Sequence, residues 1–130
     1  MYMKSIKKKN DDQILIRSIL GVDKFLMLNL NLIKIVGLNE SVVLTYILDK
    51  LEHMLSWDKD VIDTGIVVFR RDIESKFGLS DYQQRKVEKN LVLKELLTIA
   101  PTFDGLHTYN IYKVDLEKLY ELLSSVETSK

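Results

Sequence analysis

Residues 70–114 read RRDIESKFGLSDYQQRKVEKNLVLKELLTIAPTFDGLHTYNIYKV, and this stretch decides the fold. Ile73 and Phe77 stand four apart on one face of a short helix over 72–77, which Gly78 stops. Ser80 followed by Gln83 is a capping box, so a second helix begins there and runs to about Lys94. Val87 and Leu91, with Leu93 beside them, make its apolar stripe, and the polar residues between them are left outside. Residues 97–100 read as a strand. Residues 101–107 hold Asp104-Gly105, a hairpin tip, and the alternation over 108–114 is the return strand. Two helices joined by a short glycine-containing turn form a helix-turn-helix, and here a β-hairpin follows at once.

Outward from this stretch the pattern stays helical. Asn29 is placed to cap a short helix ending at Gly37, and Asn39 to cap the next, with Glu40 in its first turn. Val43, Leu44, Ile47, Leu48, Leu51, Met54 and Leu55 then recur at steps of three and four, the strongest helical stripe in the chain. Residues 24–28 are short and apolar enough for a strand. Residues 11–20 fit a strand or a helix, and the first ten residues read as a frayed arm. Residues 56–65 form a polar loop leading to a β-branched strand over 66–69. Asp115 caps a last helix through Leu116, Leu119, Tyr120, Leu122 and Leu123, and 126–130 read as a loose tail. Trp57 is assigned to the core. The organisation expected is an arm over 1–20, one domain over 21–125 and the tail.

Composition bounds the chemistry. The 130 residues are 46% hydrophobic and 29% charged, a globular composition for one domain. There is no cysteine, which removes disulfides, thiolate metal sites and cysteine nucleophiles, and fits a reducing cytoplasm. The two histidines, His53 and His107, are far apart, so no metal site is expected, and no cofactor. No run of about 18 apolar residues exists to cross a membrane, and Arg17 interrupts the only stretch resembling a leader, so neither a membrane span nor a signal peptide is expected.

Net charge is zero but segregated. Residues 1–9 carry four lysines and no acid; 39–63 carry six acids and two lysines; 70–94 carry seven bases and four acids. The basic middle segment coincides with the helix-turn-helix.

Here the chain resembles a family. NLNLIKIVGLNESVVLTYIL, RRDIESKFGLSDYQQRKVEKNLVLKELLTI and HTYNIYKVDLEKLYELL are similar to the opening, the helix-turn-helix and the second wing strand with closing helix of winged-helix modules in phage and plasmid replication proteins, the replisome organisers and replication initiators. The match covers roughly three quarters of the chain. Such modules usually carry glycine where this chain has Glu95, which implies a prolonged helix or a strained backbone there. The resemblance implies an α+β, mostly helical winged helix-turn-helix with additional N- and C-terminal helices. It also implies a noncatalytic double-stranded DNA-binding protein of a phage or mobile element, acting in replication initiation or transcriptional regulation in a bacterial cytoplasm.

The residues themselves fit that expectation. A major groove admits one helix, and polar side chains on its outer face reach base edges. Gln83, Gln84 and Asn90 suit adenine, and Arg85 suits guanine or phosphate; Arg85 and Gln84 are the best base readers. Lys86, Lys89, Arg70 and Arg71 suit phosphates, as does the helix N-terminus at Ser80. His107 and Thr108 on the wing would touch a minor groove. Tyr82 is assigned to packing. A homodimer through the acidic long helix or the C-terminal helix would double these contacts. The plain alternative is a solvated helix face, since Gln, Arg and Lys are good helix formers. The alternative function is a winged-helix interaction module that binds a host replication or transcription protein, which the neutral charge and acidic 39–63 segment favour. Asp63-Thr64-Gly65 resembles the aspartic-protease tripeptide, but strong helices flank it and that fold is nearly all β, so it reads as a loop entering a strand.

Overall fold

The structure, a computed structural model, describes residues 2–20 and 26–128, with side chains described over 11–20 and 26–126. Helix α1 (Tyr2–Leu20) runs through both N-terminal segments that the sequence treats as arm and undecided element. It holds no Gly or Pro and is rich in straight-chain residues, so nothing breaks it. The strand expected over 24–28 is absent at 26–28, where the chain is irregular and Leu26 lies along a groove beside the long helix; residues 24 and 25 fall outside the described residues.

Asn29 caps helix α2 (Leu30–Val36) as expected: its side-chain oxygen accepts from the backbone N–H of Asn31 at 2.8 Å and of Leu32 at 3.2 Å. Helix α3 (Leu38–Leu55) differs at its start. Gly37 is the N-cap and Asn39 is already inside the helix. The polar loop that follows contains a short helix, α4 (Val61–Thr64). Gly65 then turns the chain into β1 (Ile66–Val67), shorter than the sequence suggests. A Cβ at Gly65 would come within 2.9 Å of Ile111, Lys113 and the Tyr112 carbonyl, so only glycine lets this corner approach the sheet.

Helices α5 (Arg70–Phe77) and α6 (Asp81–Leu93) flank Gly78, whose φ of 74° is the left-handed turn expected there. The Ser80–Gln83 capping box is formed in both directions. Strands β2 (Leu97–Phe103) and β3 (Thr108–Val114) make a hairpin longer than expected on its first strand, which confines the tip to residues 104–107. The sheet is antiparallel in the order β1-β3-β2, with Ile66 opposite Tyr112 and Leu97 opposite Val114. Helix α7 (Leu116–Thr128) closes the chain and continues through most of the expected tail. Asp115 accepts from the Lys118 N–H at 3.1 Å and caps it.

Glu95 takes the strained option, with φ 60°. It is the left-handed residue of a Schellman turn: its N–H bonds the Val92 carbonyl at 2.9 Å and the Leu96 N–H bonds the Leu91 carbonyl at 3.0 Å. Leu91 and Leu96, the residues this turn brings together, are both fully buried.

The described residues are therefore mostly helical, with one small sheet, an α+β arrangement. The core is the stripe of α3 (Val43, Leu44, Ile47, Leu51) packed on Ile73, Val87 and Leu91 of the two short helices and on Tyr112 and Val114 of β3. Truncating a fully buried leucine of this kind to alanine costs about 2–5 kcal/mol. Trp57 is not part of it. Ser56 ends α3 by donating to the His53 carbonyl, and the chain turns outward, leaving Trp57 82% exposed. Among the described residues no helix is long and apolar enough to cross a membrane.

Candidate nucleic-acid interface

The face of α6 is set by its inward residues. Gln84, Val87, Glu88 and Leu91 are all buried, at steps of three, one and three. Gln84 is thus not an outward base reader. It is 1% exposed, and its amide donates to the carbonyls of Arg70 at 2.9 Å and Leu79 at 2.8 Å. Both acceptors are carbonyls, which fixes which way the amide points. One side chain thereby ties the start of α5, the turn and the interior of α6.

Arg70 is likewise turned inward. Its guanidinium grips Glu88 through two hydrogen bonds, Nε to Oε2 at 3.0 Å and Nη2 to Oε1 at 2.8 Å, and Nη1 meets Asp81 Oδ1 at 3.2 Å. Glu88 is only 7% exposed, so this is a partly desolvated, bidentate pair. The hydrogen bonds and charge of Glu88 hold Arg70 even more firmly protonated than an ordinary arginine. Burial, and then the Glu88 charge, push the Tyr112 phenol above its usual range. Arg70 therefore spends its charge inside the protein rather than on a phosphate. Asn90 also turns inward, donating to Glu40 Oε1 at 2.7 Å and joining α6 to the first turn of α3. Ser80 and Gln83 are engaged in the cap, and Gln83 remains exposed.

The outward face carries Tyr82, Arg85, Lys86, Lys89 and Leu93. Arg85 pairs with the carboxylate of Asp81 one turn back, Nε to Oδ2 at 2.8 Å. Lys86 and Lys89 have no ion-pair partner among the described residues. Tyr82, assigned to packing by sequence, is 74% exposed in line with the cations. The register already contained this result: with Val87 and Leu91 inward, Gln84 falls on the inner face and Tyr82 on the outer one.

A second group forms at the hairpin. A groove of about 440 Å³ has Phe69, Arg71, His107, Thr108 and Tyr109 among its walls. The Arg71 guanidinium lies 5.1 Å from the centre of the Phe69 ring, a cation–π contact that leaves the charge exposed. The hairpin tip is held by Asp104, whose carboxylate accepts from the N–H groups of Leu106 at 2.8 Å and His107 at 2.7 Å. Those two bonds keep the Asp104 carboxyl below its ordinary range. Of the residues singled out in the sequence, the fold thus gathers Arg85, Lys86 and Lys89 on one helix face and Arg71, His107 and Thr108 at the hairpin. Gln84, Arg70 and Asn90 become internal ties. Phe69 and Tyr109 join the hairpin group unannounced; alternation outward from buried Val68 and Tyr112 is the signal that marks Phe69 as outward.

Among the described residues no three His, Asp or Glu side chains are gathered as a metal site. Comparison with known proteins finds no matching family model, no matching curated protein and no matching solved structure.

Proposed function

We propose that this chain is a winged-helix module that binds duplex DNA without catalysis, with α6 entering a major groove and the β2–β3 hairpin acting as the wing. The observation that carries the reading is the sorting of charge on α6. Its acids are neutralised by arginines, Glu88 and Asp81 by Arg70 and Asp81 again by Arg85, while Lys86 and Lys89 stay exposed on the outward face. Exposed cations on a helix next to a hairpin groove that carries the exposed Arg71, with Asp104 also in its wall, suit phosphate contacts on both sides of a groove. The element order, helix, strand, two helices, hairpin, and the sheet order β1-β3-β2 support the winged-helix assignment. The resemblance to phage and plasmid replication proteins favours a role in replication initiation or transcriptional regulation on a mobile element.

The test is fluorescence anisotropy on generic duplex DNA across salt. Wild-type protein binds in the micromolar range at low salt, and affinity falls steeply as salt rises. Lys86→Ala with Lys89→Ala weakens binding about tenfold or more and lowers the salt slope by about two. Lys59→Ala, on the acidic loop after α3, leaves it unchanged. No binding by the wild type at low salt rejects the reading and favours a module that docks on another protein, a role to which exposed Trp57 is suited.

A further inference from the structure

The second half of α1 presents Ile14, Leu15, Ile16, Ile19 and Leu20 at 55–82% exposure, an apolar surface that a lone chain leaves in water. Leu15, Ile16, Ile19 and Leu20 fall within an arc of about 140° of the helix, and Asp12 shares that arc one turn earlier. The body of the same chain has an open groove of about 1180 Å³ between α3, α5 and β1, with Tyr46, Met54, Val67 and Phe77 among its apolar walls. Lys50 and Lys76 flank it, their ammonium groups 5.1 and 5.0 Å from the Tyr46 ring centre. Asp49 and His53 also line the groove, so the match between the helix patch and the groove is one of apolar surface.

We propose that the apolar face of α1, residues 15–20, docks into the α3–α5–β1 groove of a second copy of this chain, and reciprocally, giving a two-fold homodimer. Leu26, six residues beyond the end of α1, lines the groove. Each arm therefore departs from the rim of its own chain's groove, and a two-fold axis at that rim lets the arms exchange by one isologous contact. With on the order of 100 Å² offered by each of four side chains, the two reciprocal contacts cover roughly 1,600 Å² counted on both sides, the size of a standard specific interface. The contact uses the acidic long helix α3 but not α6 or the hairpin, so the inference is independent of DNA binding.

The chain contains no cysteine, so single cysteines report the contact cleanly. Full-length Ile19→Cys and Met54→Cys are prepared separately, mixed and oxidised. The mixture gives a covalent dimer well above either variant alone. Sedimentation equilibrium of the unmodified chain shows a monomer–dimer equilibrium in the micromolar range, and Ile16→Asp with Ile19→Asp weakens it about tenfold or more. These side chains are exposed in a single chain, so the variant keeps its far-UV circular dichroism. A monomer at all concentrations overturns the proposal. So does a cross-link formed only when both cysteines are in one chain, which would mean the arm folds back on its own groove. Cross-linking of Ile19→Cys to itself alone would mean that two α1 helices pair, and also overturns it.

Discussion

Removing either partner of the Arg70–Glu88 pair separates an internal tie from a DNA contact. Glu88 is nearly enclosed, whereas Arg70 keeps 27% of its side chain in water and a second carboxylate, Asp81, at 3.2 Å. Breaking a buried pair costs about 3–5 kcal/mol when the charge left behind has no other partner. Glu88→Ala leaves Arg70 with water and Asp81, so its cost falls lower, about 2 kcal/mol, after solvent screening. Arg70→Ala leaves the more enclosed carboxylate without its cation, with the Tyr112 phenol still beside it, and costs more, about 3 kcal/mol. Replacing both, Arg70→Met with Glu88→Leu, removes the stranded charge and costs less than Arg70→Ala alone. Urea unfolding followed by circular dichroism measures all three. Additive costs in the double variant, or Glu88→Ala costing more than Arg70→Ala, would refute the reasoning.

Two further outcomes follow from local geometry. Glu95→Gly raises the melting temperature, because the left-handed turn and its two backbone hydrogen bonds stay while the Cβ strain goes; a fall would mean that the 2.6 Å ion pair with Lys118 outweighs the strain. For Asp104, the depressed carboxyl means that its contribution is present above the unfolded-state value and is lost as pH falls through the lower folded one, so the Leu106 and His107 amide resonances hold steady through the ordinary carboxylate range and shift only below it. Movement at mildly acid pH would contradict the cap.

Local signals carried the fold where one residue type does one job. The Ser80–Gln83 box, the Gly78 turn and the Asn29 and Asp115 caps are short-range chemistry, and each is formed as its residues imply; the α3 stripe is buried through Leu51, while Met54 and Leu55 at its end stay exposed. Readings failed where tertiary geometry decides. Asn39 is an acceptable cap, but Gly37 reaches the backbone shape first, so the helix starts two residues earlier. Residues 24–28 look like a strand, yet at 26–28, the described part, the chain is irregular and joins no strand of the sheet. Gln84 and Arg70 were misplaced for a different reason. Polarity alone suggests an outward residue, but burial is tolerated where partners meet the donors: the Gln84 amide N–H groups reach two backbone carbonyls, although its Oε1 stays unpartnered, and Arg70 reaches Glu88, all from chain segments 5 to 18 residues away.

That same misplacement changes what a net charge of zero means. Counting residues over 70–94 gives seven bases against four acids, which treats every charge as equally available. The fold does not. Glu88, nearly enclosed, is paired with the partly exposed Arg70, and Asp81 lies between Arg70 and Arg85, so much of the acid that would repel a phosphate near α6 is already neutralised at contact distance. At physiological ionic strength a charge is felt over about 8 Å. The field met by a ligand at the outer face of α6 is therefore set by the nearby exposed lysines and by the few acids beside them, Glu40 against Asn90 among them, rather than by the acids farther along the 39–63 segment. A formally neutral chain can in this way keep a locally cationic face, and its affinity for a polyanion depends on how few of its own acids remain within one screening length of Lys86 and Lys89.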